Sequence, residues 1–232
     1  MFVFQKEPYL TREKLLVSTR MSERPIYLGF DEIDPGHPAV KARLAPMGSV
    51  EFTRAYARAA GVALPVDMSY PTSLDDHLHR VIRPDTFANA SLTDFVKPRG
   101  SIKSFTGAIK ADLRERVEAS APVWVSNRVF FLAEWRVYVL DGAIVGHARY
   151  DPHEEHHDLD TAPVRAMIRA YCEGPCAYAL DVGLLENTVA LVEVNDAWAL
   201  GFYGHGTLEP KDYVKMILSR WNQLVSSSKG DD

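Results

Sequence analysis

Two carboxylates and an amide lie near the end of the chain, at Asp181, Glu193 and Asn195. Glu193 and Asn195 are two residues apart in an apolar segment that alternates like a β-strand, so their side chains leave it on one face. Asp181 follows another apolar segment and reaches the same place if the two strands pair. Such oxygens suit Mg²⁺ rather than Zn²⁺, and Mg²⁺ is commonly shared with phosphates, so the set predicts a nucleotide site. A polar stripe on a solvated strand is the alternative.

A second group of residues is cationic and follows a short predicted strand. Lys97 ends that strand, and the loop after it carries Arg99 and Lys103 among glycine and hydroxyl residues. Backbone N–H groups in such a loop, together with a lysine, can bind a phosphate. The spacing is not that of a P-loop, so a solvated basic loop is the alternative.

Two further arginines lie in the middle of predicted strands, at Arg136 and Arg149. An arginine there is costly unless it faces a cleft or a partner. Asp141 and Gly142 form a hairpin signal between the two strands. The hairpin is therefore expected to bring Arg149 near Arg136, and Arg149 and Tyr150 near an acceptor substrate.

The elements that must position these residues follow from the apolar periodicity. Strands are predicted at 94–98, 123–126, 131–140, 143–150, 177–183 and 189–195. Helices are predicted at 50–61, 73–78, 163–172 and 212–224, with a turn at 80–84. Antiparallel hairpins mixed with helices indicate an α+β fold.

Composition limits the class of protein. Apolar residues make up 47% and charged residues 25% of the 232 residues, which is ordinary for a globular protein. A net charge of −5 argues against a generic nucleic-acid surface. The sequence has neither a long apolar run nor a signal-peptide pattern. We therefore expect a cytoplasmic protein with no nucleic-acid or membrane partner, and the sequence does not indicate its oligomeric state.

Two other features offer metal ligands. Cys172 and Cys176 could form a bridge or half of a metal site, but without a second pair reduced thiols are expected. Residues 151–158 are rich in histidine and carboxylate, which raises a metal-dependent hydrolase as a rival function. That segment is a predicted loop without the helical His-Glu-x-x-His spacing, so a solvated charged loop is favoured.

In their order along the chain, these segments resemble the ATP-grasp superfamily. The matching stretches are FVKP at 95–98, VWVS at 123–126, EWRVYV at 134–139, ALDVG at 179–183 and VEVN at 192–195. Residues 46–52 look like the N-terminal region of a small ATP-grasp group of ligase-like proteins in bacteria and phages. The resemblance implies two α+β lobes, with mixed and antiparallel sheets, that enclose a nucleotide. It divides the chain into an N-terminal substrate-side region at 1–90, an ATP-grasp domain at 91–225 and a flexible tail at 226–232.

The resemblance also implies contacts with ATP. Lys97 matches the lysine that contacts the adenine and the α-phosphate, and Lys103 lies in the stretch that matches the lid over the phosphates. The adenine edge is expected to bond the backbone of a hinge strand made of Val123, Trp124, Val125 and Ser126. Asn127 stands where the superfamily often has an acidic residue for the ribose.

The remaining implied roles concern catalysis and the metal. Arg136 matches the arginine that faces the γ-phosphate, and Asp181, Glu193 and Asn195 match the ligands of one or two Mg²⁺ ions. The implied activity is an ATP-dependent ligase that joins a small-molecule or peptide carboxylate to an amine or a thiol through an acyl-phosphate. Arg136, Lys103 and Arg149 are the predicted catalytic residues. A nucleotide-binding regulatory module without ligase turnover is the alternative.

Overall fold

The computed structural model describes residues 1–6, 13, 14, 17, 24–100, 104–114 and 116–228. Lys103 and the end of the chain, 229–232, lie outside these residues. Within the described part, the strands form three sheets.

The first sheet is parallel and comes from the N-terminal region. Its strands are β1 (Phe2–Gln5), β2 (Ile26–Leu28) and β3 (Ala45–Met47), in the order β2-β1-β3. Helices α1 (Pro38–Lys41) and α2 (Val50–Ala59) belong to the same region. Helix α2 is capped by Ser49, whose hydroxyl accepts a 3.1 Å hydrogen bond from the N–H of Phe52, and Gly61 follows its end with φ +63°. All of β1 is buried, as expected for a parallel strand covered on both faces.

The second sheet is antiparallel, in the order β4-β7-β5-β6. Its strands are β4 (Ile82–Thr86), β5 (Phe95–Pro98), β6 (Ala108–Ile109) and β7 (Pro122–Ser126). The turn predicted at 80–84 is wrong, because a strand begins at Ile82 and pairs with β7. Pro84 is tolerated there because β4 is an edge strand. The boundary expected at residue 90 falls between β4 and β5, which share this sheet.

The third sheet is also antiparallel and runs in the order β11-β10-β8-β9. Its strands are β8 (Ala133–Leu140), β9 (Ala143–Arg149), β10 (Ala177–Leu184) and β11 (Val189–Asp196). The predicted hairpin is present, with positive φ at Asp141 and Gly142. One face of the sheet is apolar and packs with helix α3 (Thr161–Ala170) through Val164 and Met167. This mixture of helices and antiparallel sheets confirms the α+β fold.

The C-terminal helix α4 (Pro210–Ser227) returns to the N-terminal region. Its buried face joins the core cluster of the first sheet through Tyr213, Met216, Ile217, Trp221 and Leu224. Helix α4 extends into the predicted tail, and the hydroxyl of Ser228 accepts a 3.1 Å hydrogen bond from the N–H of Ala63. No helix in the described part of the chain is long and apolar enough to cross a membrane.

Candidate nucleotide and metal site

A cavity of about 690 Å³ lies where the two antiparallel sheets and helix α2 meet. The second sheet contributes Lys97 and Ser126, and the third contributes Glu193 and Asn195. The segment that connects the two sheets lines it with Asn127, Arg128, Val129 and Phe131. The cavity is thus shared by the elements that the sequence pattern predicts on either side of a nucleotide.

The three predicted metal ligands meet on one face of the third sheet. Asp181 is the cross-strand partner of Glu193, and the β10–β11 register is offset directly after this pair. The amide nitrogen of Asn195 donates to Asp181 Oδ2 at 3.0 Å and to Glu193 Oε1 at 3.4 Å. The shared face follows from the period of two along β11 and from the antiparallel pairing with β10.

Asp181 also pairs with Arg136, its cross-strand partner on β8. Arg136 donates from Nε to Oδ1 and from Nη2 to Oδ2, both at 2.8 Å, and the two side chains are only 11% and 5% exposed. Burial opposes the charge of Arg136, but the hydrogen bonds and charge of Asp181 outweigh it and raise the pKa of Arg136. The ring of Tyr203 lies 4.9 Å from the guanidinium carbon. Arg136 is therefore a fixed positive charge beside the oxygen set.

Glu193 pairs with Lys97 across the cavity, which links the second and third sheets. Lys97 also lies over the ring of Tyr70, 4.8 Å from its centroid. Burial acts to lower the pKa of Lys97, but the charge of Glu193 prevails and raises it. A side chain on Gly107 would come within 3.1 Å of Lys97 Cβ, so this glycine lets the loop pass close to the lysine.

The oxygen set suits a cation that is shared with a nucleotide. Two carboxylates and one amide are few ligands, and no group of three or more His, Cys, Asp and Glu side chains among the described residues could hold a metal. Mg²⁺ usually takes one or two carboxylates from the protein and completes its octahedron with water and phosphate oxygens. Without the ion, Arg136 and Lys97 balance the charges of Asp181 and Glu193.

The predicted hinge strand is in place, but its backbone is not available to an adenine. β7 is a central strand that pairs with β4 on one side and β5 on the other. Val123 and Val125 are buried in the core of that sheet, and Trp124 Nε1 donates to Asp67 Oδ2 at 2.9 Å. Ser126 lines the cavity, and so do the residues after it. The expected backbone contact is therefore corrected from 123–126 to the segment that begins at Asn127.

Arg149 does not lie beside Arg136, contrary to the expectation from the hairpin. Ala148 is the partner of Arg136 across β8 and β9, and Arg149 is the partner of Trp135, so the two arginines project from opposite faces. Arg149 donates to both oxygens of Asp151, at 2.7 and 2.9 Å.

The histidine-rich loop is held by the same arginine. Arg149 donates to the backbone oxygens of His153 at 3.1 Å and Glu155 at 2.6 Å. Because the described residues hold no cluster of metal ligands, the hydrolase receives no support from the structure. Cys172 and Cys176 are both free thiols.

Several residues that line or support the site were not singled out from the sequence. Arg80 donates to the backbone oxygens of Leu191 at 2.6 Å and Val192 at 2.9 Å, and so fastens the end of the first region to β11. No local pattern marks Arg80, because its partners lie more than 100 residues away in the sequence. Tyr150, expected near the acceptor, lines the cavity and donates to Glu134 Oε2 at 2.8 Å. Burial raises the pKa of Glu134. Its place on the face of Arg136 is the signal that could have identified it.

Comparison with known proteins places this chain in one family. The family model that matches describes an ATP-grasp domain, family 2 of its clade, and covers residues 77–216, which is more than half of the chain. The chain belongs to the ATP-grasp superfamily, as the sequence resemblance indicates. Its particular family is that second family of the clade. None of the curated proteins compared with it matches.

Solved structures agree on the fold. A RimK domain ATP-grasp protein from Sphaerobacter thermophilus has 14% identity and a TM-score of 0.53, over 97% of this chain and 100% of that one. The macrocyclase MdnC from Microcystis aeruginosa, bound with the precursor peptide MdnA, has 12% identity and a TM-score of 0.50, over 98% and 100% of the two chains. At such identities the likeness concerns the fold alone.

Proposed function

We propose that the protein is an ATP- and Mg²⁺-dependent ligase that joins a carboxylate to an amine or a thiol through an acyl-phosphate. The observation that supports it most directly is the buried cluster of Asp181, Glu193, Asn195, Arg136 and Lys97. Two carboxylates and two cations sit beside one cavity in a chain of the ATP-grasp superfamily.

Asp181, Glu193 and Asn195 would hold the metal. One or two Mg²⁺ ions bound with ATP would neutralise phosphate charge and polarise the transferred phosphoryl group. The amide of Asn195 points its nitrogen at the carboxylates, and a rotation of the amide brings its oxygen to the same place. Phosphates would also offer Lys97 and Arg136 new anionic partners, which frees carboxylate oxygens for the cation.

The chain's own cations would act on the transferred group. A substrate carboxylate oxygen attacks the γ-phosphorus, the bond to the β–γ bridging oxygen breaks, and ADP leaves. The amine or thiol then attacks the acyl carbon, and phosphate and a proton are released. Arg136 is pre-positioned by Asp181 and Tyr203, so it can stabilise the developing charge without reorganisation.

The loop after β5 would keep water away from the acyl-phosphate. The N–H of Gly100 donates to Asp67 Oδ2 at 3.2 Å, and Thr106 and Gly107 line the cavity. Lys103, the predicted lid lysine, lies in this loop outside the described residues and remains part of the proposal. Exclusion of water protects an intermediate that otherwise hydrolyses.

The experiment has a binding arm and a turnover arm. Calorimetry measures the binding of ATP with and without Mg²⁺ to the wild type, to Asp181→Asn and to the exposed-site control Asp76→Asn. Release of ADP and phosphate is then followed with pooled acids, amino acids and peptides. Peptides are included because one structure with the same fold is a macrocyclase bound with a precursor peptide. We expect Mg²⁺-dependent binding and turnover that Asp181→Asn abolishes and Asp76→Asn retains.

The outcomes separate the two candidate functions. Nucleotide binding without turnover on any pool would favour the regulatory module. If neither the wild type nor the control binds ATP, both are rejected.

A further inference from the structure

One cation on the cavity wall has donors to spare. Arg54, on helix α2, lines the same cavity as Lys97 and Glu193. Its Nε is buried and has no hydrogen-bond partner in the described part of the chain. Its guanidinium lies over the ring of Trp198, 5.3 Å from the ring centroid. Buried unpaired donors are rare in folded proteins, so each one calls for a physical explanation.

The other cations around the cavity are in different situations. Lys97 is paired with Glu193, and Arg80 donates to backbone oxygens. Arg128 is exposed and lies over the ring of Phe130, 4.3 Å from the centroid. Arg54 thus combines partial burial with a planar set of donors that a ligand can reach.

The support of Arg54 is rigid on both sides. Trp198 lies in a short 3-10 helix at Ala197–Ala199, and its N–H donates to Asp196 Oδ1 at 3.2 Å. Asp196 is itself held by Arg220, which donates to its two oxygens at 2.7 and 2.6 Å. Trp198 comes three residues after Asn195, so the metal-ligand strand leads directly to this wall. A pre-organised ring and guanidinium lose little freedom when a ligand binds.

We propose that Arg54, stacked on Trp198, binds a substrate carboxylate other than the one that is activated. The substrate class is therefore an amino acid or peptide that carries a carboxylate in addition to its reacting group. This rests on the proposed ligase function, because the reacting group is taken to lie with Lys97 and Arg136. The guanidinium fork matches a carboxylate with two parallel hydrogen bonds, and its stacking leaves the donor edge free.

A carboxylate suits this place better than a phosphate. Glu51 lies one turn before Arg54 on helix α2 and also lines the cavity. Its negative charge repels a dianion more strongly than a monoanion. A planar monoanion also matches the planar fork of Arg54.

The test observes the guanidinium itself. In protein labelled with ¹⁵N-arginine and kept with ADP and Mg²⁺, the Nε–H signal of Arg54 is assigned by its loss in Arg54→Lys. Succinate, its neutral diamide succinamide and inorganic phosphate are each titrated at constant ionic strength. We expect a saturable shift of the Arg54 signal with succinate and none with succinamide. Arg58, exposed on the same helix, is the internal control and is expected to stay still.

Two results would overturn the proposal. One is an Arg54 signal that succinate does not shift, or shifts no more than it shifts that of Arg58. The other is a saturable response to phosphate but not to succinate, which would make this a phosphate site. Calorimetry of ADP and Mg²⁺ on the same sample keeps the two proposals apart. Nucleotide binding with a silent Arg54 rejects only the carboxylate site, and a responsive Arg54 without nucleotide binding rejects only the ligase.

Once a turnover substrate is known, kinetics give a second readout. Arg54→Gln is expected to raise the KM for the acidic substrate by about tenfold or more, which corresponds to the loss of one charged hydrogen-bonded contact. Affinity for ADP with Mg²⁺ should not change, and Arg54→Lys should lie between the two. An unchanged KM in a folded Arg54→Gln would contradict the assignment.

Discussion

Arg136 and Arg149 come from the two strands of one hairpin, and each donates two hydrogen bonds to an aspartate. Arg136 binds Asp181 at the cavity, with the two side chains 11% and 5% exposed. Arg149 binds Asp151 on the other face and is 22% exposed. The first pair belongs to the candidate site, and the second fastens a surface loop.

The difference arises from a single step along β9. Ala148 shares the face of Arg136, and its neighbour Arg149 points away. Because the period of a strand is two, a shift of one residue exchanges the two faces. Similar chemistry at similar local spacing therefore serves the cavity in one place and the loop in the other.

The largest expected effect concerns stability at the buried pair. Arg136→Met leaves Asp181 without its charged partner in a nearly closed environment. We expect the free energy of unfolding to fall by about 3–5 kcal/mol, against about 1 kcal/mol for Arg149→Met. The smaller value reflects the exposure of Arg149 and the two backbone N–H groups that still bond Asp151. Urea unfolding of both variants checks this, and equal losses would refute the contrast.

The next effect concerns activity. Asp181→Asn removes a proposed metal ligand but keeps its shape, and we expect ADP formation to fall at least about 100-fold. Asp151→Asn, on the opposite face, should retain most of the turnover. Initial rates at saturating ATP and Mg²⁺ measure both. Comparable losses in the two variants would argue against a special role for the cavity face.

A smaller effect is expected from the segment that covers Arg136. A Cβ on Gly206 would collide with the backbone oxygen of His147 and lie 2.5 Å from Ala148 Cβ. Gly206→Ala should therefore push this segment and Tyr203 away from the hairpin, at a cost of about 1–3 kcal/mol. Gly36→Ala is the control, because a Cβ there meets only the side chain of Asp34. Thermal unfolding of the two variants gives the comparison, and a neutral Gly206→Ala would contradict it.

The smallest effect concerns acid stability on the loop side. The hydrogen bonds from Arg149 hold the pKa of Asp151 below its usual value, and those from backbone N–H groups add to this. A lowered pKa in the folded state stabilises the protein above the usual aspartate pKa, and this contribution is lost as the pH falls through the folded-state value. The stability advantage of wild type over Asp151→Asn should therefore be full near neutral pH and shrink below about pH 4. Urea unfolding at several pH values tests it, and a pH-independent difference would contradict it.

Much of the site was predictable because it depends on local alternation. Glu193 and Asn195 share a face through their spacing alone, and a short hairpin turn sets the pairing of β8 with β9. The predictions that depended on longer-range pairing did worse. The strand at Ile82–Thr86 was taken for a turn because its proline hides an edge strand, and its partner β7 lies about 40 residues later. The hinge backbone was assigned to an adenine because the sequence does not show that β7 is central.

The sequence by itself determined which side chains share a face and which oxygens can meet, since the period of two and the hairpin turn are properties of neighbouring residues. Only the tertiary structure decided the partners across the cavity. Lys97 meets Glu193 from 96 residues away, and Arg54 comes to lie over Trp198. Helix α4 returns to the first sheet in the same way. These contacts depend on how separate sheets and helices pack against one another, and local patterning carries no information about that packing.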